Sequence, residues 1–280
     1  MRLFEISPFV RQAVVTHMSQ GKTLFHRLKT RDHRLFYILG GRGSIVISGI
    51  SYPIMPGMLI LFPSGTEYSW QVEDMPYVAV NFDLTRANTD KTASFHVEYS
   101  ENVAWVLEPD ISLEDSDLFA EPLVLYHMAH LERTMTNLAA EFSVKGPYCE
   151  ELVSSMLRLV IITALRERST ADDVSRSHCV RDVIAYVHEN YSRPIRNTDI
   201  ADALHYNSSY MNRLFKSYTG MTVRAFLIDY RINAATDLLI STDLPIAEVA
   251  SLVGFTDLPH FTKTFKAHTG ASPTDYRTAR

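Results

Sequence analysis

The sequence has few cysteines, no long apolar run and no surplus of positive charge, and each shortage excludes a class of protein. Cys149 and Cys179 are the only cysteines in 280 residues and stand far apart. Neither a disulfide framework nor a zinc site of paired cysteines is expected. No apolar stretch approaches the ~20 residues that cross a bilayer. The opening Met-Arg-Leu-Phe-Glu-Ile-Ser-Pro lacks the apolar core of a signal peptide. A cytoplasmic protein with no membrane partner is expected. The formal net charge of −5 excludes a strongly basic polyanion binder. The charge is uneven, however: 12 Lys+Arg face 10 Asp+Glu from Ser175 onward, leaving 15 against 22 before it. Only the C-terminal part is compatible with nucleic acid, so affinity there must come from pairing and specific contacts rather than bulk charge.

What is present is a duplication in the last eighty or so residues. Asp199-Ile-Ala-Asp-Ala-Leu204 is followed by Tyr210-Met-Asn-Arg-Leu-Phe-Lys216 and Thr219-Gly220. Ile246-Ala-Glu-Val-Ala250 and Val253-Gly-Phe255 are followed by His260-Phe-Thr-Lys-Thr-Phe-Lys266 and Thr269-Gly270. Phe215, Lys216 and Gly220 recur at an offset of 50, and Ile200-Ala201 at an offset of 49. Each copy reads as helix, tight turn, helix. Asn197 or Thr198 is expected to cap the first helix, and Asn207-Ser208 the second. Tyr210, Met211, Leu214, Phe215 and Tyr218 fall on one helical face, opposite Ser209, Asn212, Arg213 and Lys216. In the second copy Leu258, Phe261, Phe265 and His268 are expected inward, and His260, Lys263 and Lys266 outward. This is the helix-turn-helix plan.

The ordered set Ile-Ala … Arg-x-Phe-Lys … Gly, Arg231-Ile … Ala234 … Leu238-Leu239, Val253-Gly-Phe255, Phe261-x-x-x-Phe-Lys266 and Thr269-Gly-Ala-Ser-Pro-Thr-Asp-Tyr-Arg277 resembles the AraC/XylS family of bacterial transcription regulators. The resemblance covers roughly the last hundred residues. It implies two helix-turn-helix subdomains joined by a long helix, about residues 222–241. Their recognition helices would enter the major groove of double-stranded DNA about one helical turn, roughly 34 Å, apart. Ser208, Ser209, Asn212 and Arg213 are then the base-reading candidates of the first module. His260, Lys263 and Thr262 are those of the second, and Lys216 and Lys266 are expected on phosphate. Two residues depart from the family pattern: His205 stands where the first turn usually holds glycine, and Pro259 opens the second recognition helix.

The first eighty or so residues read as strands. Leu35–Leu39, Gly43–Ser48, Met58–Phe62 and Tyr77–Phe82 are separated by turn pairs such as Gly40-Gly41, Pro56-Gly57 and Ser64-Gly65. The order resembles the cupin-like sensor domain found ahead of AraC-type modules. His26 and His33 occur without a His-x-His pair, and Tyr68 stands where related domains have a histidine. No metal, cofactor or catalytic residue is therefore expected. If the register resembles the sugar-sensing members, His26, Arg27, Arg31, His33, Trp70 and Tyr77 rim a pocket for a small-molecule effector. A further strand is expected around residues 94–97, and helices over Pro122–Phe142 and Pro147–Arg168. Their apolar seams offer a face to a twin chain, giving a homodimer. Residues 169–178 are polar and are expected to form a linker.

The fold expected is thus α+β: an N-terminal cupin-like β-barrel with a helical hairpin, then an all-α domain of two helix-turn-helix subdomains joined by a long helix. The divisions are 1–168 for sensing and dimerisation, 169–178 for the linker and 179–280 for DNA. The function implied is a transcription activator that answers to a sugar or related metabolite and also meets RNA polymerase. Two alternatives stand beside it: a cupin-type metal enzyme carrying a DNA-binding tail, and a regulator controlled by a partner protein.

Overall fold

Two sheets and nine α-helices make up the described residues of the computed structural model, which are 2–18, 24–29, 32–86, 121–169 and 171–278. The chain divides into two compact units, Met1–Val174 and Ser175–Arg280.

In the N-terminal unit the strands are β1 (Phe9–Met18), β2 (Leu24–Lys29), β3 (His33–Ile38), β4 (Arg42–Ile47), β5 (Ile50–Pro53), β6 (Leu59–Phe62), β7 (Glu67–Glu73), β8 (Met75–Asp83) and β9 (Leu123–Leu125). They form a five-stranded sheet in the order β1-β8-β3-β6-β9 and a four-stranded sheet in the order β2-β7-β4-β5. The expected barrel is not formed. Closure requires hydrogen bonding all the way round, whereas among the described residues each sheet ends in edge strands, β1 and β9 in one and β2 and β5 in the other. The two sheets are joined by side chains instead, as in a sandwich. The strand expected around residues 94–97 lies outside the described residues.

Strand β3 is buried along its whole length because both faces of its sheet are covered. Phe36 and Ile38 point between the sheets and share a core with Ile45, Ile47, Tyr68 and Trp70. Leu35 and Tyr37 point the other way, joining Leu59, Leu61, Val78 and Val80. That second face is covered by α1 (Glu132–Val144) and α2 (Cys149–Ser169), through Met135, Leu138, Val153, Leu157 and Val160. The helix expected from Pro122 therefore starts ten residues late. Leu123, Val124 and Leu125 pair with Leu61, Ile60 and Leu59 and extend the open edge of the sheet. Their apolar run satisfies a strand as well as a helix, and the unpaired backbone of β6 decides between them.

The C-terminal unit is all helical: α3 (Ala171–Asn190), α4 (Asn197–Ala203), α5 (Ser208–Thr219), α6 (Val223–Ser241), α7 (Ile246–Leu252), α8 (Leu258–Thr269) and α9 (Pro273–Thr278). Helix α3 begins inside the stretch expected as a linker. Asn207 caps α5 by accepting from the Ser209 and Tyr210 backbone N–H groups, and Asp257 caps α8 by accepting from His260 N–H. Both recognition helices end on left-handed glycines, Gly220 and Gly270. The cap of α4 is Arg196 rather than Asn197 or Thr198. The Asp199 carboxylate reaches back to accept from the Arg196 N–H at 2.9 Å.

His33 carries a pH consequence. It is buried with its ring 5.5 Å from that of Phe82. Burial pushes its imidazole down to about 4, a backbone hydrogen bond with Phe82 partly offsetting the shift. The unfolded chain takes up a proton below about 6.5, and the folded unit does so only near 4, so acid favours unfolding. Stability is fully present above 6.5 and should fall by up to about 3 kcal/mol as pH drops towards 4. Urea titrations at stepped pH should show this fall in the wild type and a much flatter profile in His33→Phe.

Candidate nucleic-acid interface

The two recognition helices present a similar stripe. On α5, Ser209, Arg213 and Lys216 are exposed at a spacing of four and then three residues; on α8, His260, Lys263 and Lys266 are exposed at every third residue. Their opposite faces are closed by Met211, Leu214 and Phe215, and by Phe261 and Phe265. Each helix therefore holds its polar stripe on a rigid apolar base, which is what base reading requires.

Other candidates are placed differently. Ser208 and Thr262 are half-buried. Asn212 is half-buried too, and its side-chain carbonyl accepts from the Val223 backbone N–H at 3.1 Å. A bidentate grip on adenine needs both ends of the amide, and one end of Asn212 already holds the start of α6. Tyr210, expected inward, is 41% exposed at the first turn of α5, and Leu258, also expected inward, is exposed at the start of α8. Helical periodicity counts tyrosine as apolar, although its hydroxyl favours a wet end. Tyr210 is thus exposed beside Ser209, in the same helix as exposed Arg213.

The two turns differ in a way that explains His205. His205 takes the left-handed conformation, φ 58°, that a glycine would adopt more readily. It is exposed, so its side chain meets no obstacle. Its counterpart Gly254, φ 86°, is buried. Pro259 lies in the first turn of α8, where a missing N–H costs nothing.

In the N-terminal unit the six expected ligand residues do not form one set. His26 and Arg27 lie on β2, and their side chains, like all of Arg31, lie outside the described residues. Trp70 is 1% exposed, edge-on to Phe36 at 5.2 Å and 6.2 Å from Tyr77. His33 packs with Phe82, which belongs to the core on the helix side of the sheet. It does not share a chamber with Trp70. A residue that the reading passed over does: Arg34, fully buried, alternates with His33 and so points between the sheets. Its Nε lies 2.8 Å from the Asp32 carboxylate. Arg11 pairs with Asp83, and Asn81 donates to Gln12 at 2.9 Å. Burial raises the Asp32 carboxyl, and the nearby Arg34 and Arg11 guanidiniums partly offset that rise. The signal was available as a charged Asp-x-Arg opening an apolar strand. Among the described residues no group of three His, Cys, Asp or Glu is placed to hold a metal, and no helix is long and apolar enough to cross a membrane.

Comparison with known proteins agrees with the helical geometry. Residues 200–279 match the family described as "Helix-turn-helix domain". The chain is 24% identical over 255 residues to the HTH-type transcriptional regulator YfiF of Bacillus subtilis (strain 168), covering 91% of this chain and 79% of that one. It is 25% identical over 250 residues to the Msm operon regulatory protein of Streptococcus mutans serotype c, covering 88% and 84%. It is 22% identical over 252 residues to the raffinose operon transcriptional regulatory protein RafR of Pediococcus pentosaceus, covering 87% and 83%. Residues 200–279 thus carry a helix-turn-helix domain, and along most of its length the chain is similar to DNA-binding transcription regulators.

Proposed function

We propose that the protein is an activator whose N-terminal unit takes a small molecule between its two sheets and whose C-terminal unit reads promoter DNA. The observation that carries the DNA half is the repeated stripe Ser209-Arg213-Lys216 and His260-Lys263-Lys266, each on a helix with a closed apolar back. Arg213 is the guanine reader and Lys216 and Lys266 hold phosphate. The Pro259 ring leaves less of α8 to read bases. The functional divisions proposed are 1–168 for sensing and dimerisation and 179–280 for DNA, with 169–178 between them running into α3.

Support for an effector lies between the sheets. Arg34 there is a fixed fork for hydroxyl or carboxylate oxygens, and Trp70 and Tyr77 offer ring faces to a sugar's C–H groups. One relative is named for a raffinose operon, which favours a sugar or a related metabolite. Ligand binding would shift a two-state equilibrium in the dimer and so change which half-sites the paired modules reach. An activator would also meet RNA polymerase.

The twin chain would pair along α2. Leu152 and Leu159 are exposed there, Leu159 at 55%, with Met156 half-buried between them. The helix has acids in its first turn, Glu150 and Glu151, and bases in its last, Arg166 and Arg168. Antiparallel pairing sets each end against its opposite charge.

Three measurements test this reading. On a duplex selected from a randomised pool by the full chain, Arg213→Ala should flatten preference at one base pair by about tenfold; an equal loss on every sequence would move Arg213 to the phosphate class. A thermal-shift panel of mono- and disaccharides, sugar acids and aromatic acids should contain a compound that raises Tm by several degrees. No shift across the panel would favour a partner protein as the signal. In sedimentation, Leu159→Glu should turn a dimer into a monomer, and an unchanged mass would remove α2 from the interface.

A further inference from the structure

The C-terminal unit is two three-helix repeats, α3-α4-α5 and α6-α7-α8. At the 49-residue offset of their turns, Asp182 of α3 corresponds to Arg231 of α6, Tyr206 to Phe255, and His205 to Gly254. The leading helix of each repeat holds the aromatic that follows the turn. In the first, the Tyr206 hydroxyl donates to the Asp182 carboxylate at 3.1 Å. In the second, the Arg231 guanidinium lies over the Phe255 ring, 5.8 Å from its centre.

Arg231 also does something for which Asp182 has no counterpart. Its Nε donates to the Tyr191 carbonyl at 2.8 Å and its Nη2 to the Arg193 carbonyl at 2.6 Å. Both carbonyls lie just past the end of α3. A single side chain therefore binds the helix that opens the first repeat to the turn of the second. Gly254 reports the same approach from the other side. A Cβ on it would sit 2.4 Å from the Tyr191 carbonyl oxygen and 3.0 Å from the Arg231 guanidinium. The backbone oxygen cannot yield, so this turn must be glycine, while the exposed first turn tolerates His205.

We infer that Arg231 is the residue that positions the second recognition helix relative to the first, a fixed strut without which the two helices cannot engage one duplex together. Helix α6, with the Tyr191 ring packed on the second core, joins the repeats, and without Arg231 the second repeat is free to tilt about that contact. The guanidinium fork, with two charge-assisted bonds on carbonyls just past the end of α3, adds the attachment that fixes this tilt. Misplacement by about an ångström at a reading helix removes base contacts while leaving the fold in place.

This inference rests on the DNA-reading function, and the test separates the two. Duplexes are selected from a randomised pool by the full chain, and binding is measured with the intact duplex and with either half-site scrambled. Wild type should lose about tenfold or more on scrambling either half. Arg231→Gln should keep that loss for the first half and lose less than about twofold on scrambling the second. Gly254→Ala, which forces apart the same contact with Arg231 intact, should behave alike. Arg231→Lys keeps the charge and reaches one carbonyl, so it should recover part of the second-half sensitivity. Should Arg231→Gln lose its helical circular dichroism, Arg231→Lys carries the decision. Full second-half sensitivity in the folded variants, or an equal proportional loss on both halves, would overturn the strut. Failure of the wild-type chain to select any duplex would overturn DNA reading itself, and the strut with it.

Discussion

Helix α6 belongs to two cores at once, and the C-terminal unit depends on that sharing. A module of some fifty residues buries too little apolar surface to be secure alone. Phe226, Leu227 and Tyr230 close the first module, with Phe226 5.3 Å from Phe215. Ile232, Ala235 and Leu239, a turn or two further on, close the second with Val249, Phe261 and Phe265. A helix buried on nearly every side has little amphipathic character, and its sequence, Val-Arg-Ala-Phe-Leu-Ile-Asp-Tyr-Arg-Ile, shows little. Because one element serves both cores, the two modules are held in one compact unit.

The N-terminal unit solves a different packing problem with the same economy. Its five-stranded sheet is covered on one side by the second sheet and on the other by α1 and α2, so side chains of β3 alternate between two dry layers. Among the described residues two buried charge pairs enter it: Arg34 with Asp32, and Arg11 with Asp83. Such pairs gain little stability over apolar replacements of similar size.

The duplication was legible in the sequence because several local signals agree in each copy. Asn207 and Asp257 cap, Gly220 and Gly270 terminate, and the apolar residues between them keep helical spacing. The sheets were less legible. Short strands between turns serve a barrel and a sandwich alike, and closure is decided by pairing between distant edges, which no local pattern encodes. Strand β1 has the mixed burial of an edge and carries no flanking turn signal of the kind that marked β4 or β6. At the reading face, Arg213, Lys216, Lys263 and Lys266 stood where periodicity put them. Tyr210 did not, because tyrosine is apolar by count and amphipathic in fact. Asn212 did not either, since its engagement with Val223 depends on the path of the chain eleven residues later. Arg231 stood in the sequence as part of a motif, and only the carbonyls of Tyr191 and Arg193 reveal its reach.

The two recognition helices of one chain, as proposed, meet the same face of DNA together. Hydroxyl-radical footprinting of the full chain on its selected duplex tests this most directly. For each protomer, two protected patches centred about 10 base pairs apart on one face of the helix are expected. A single protected patch per protomer, unchanged as protein concentration rises, would contradict it.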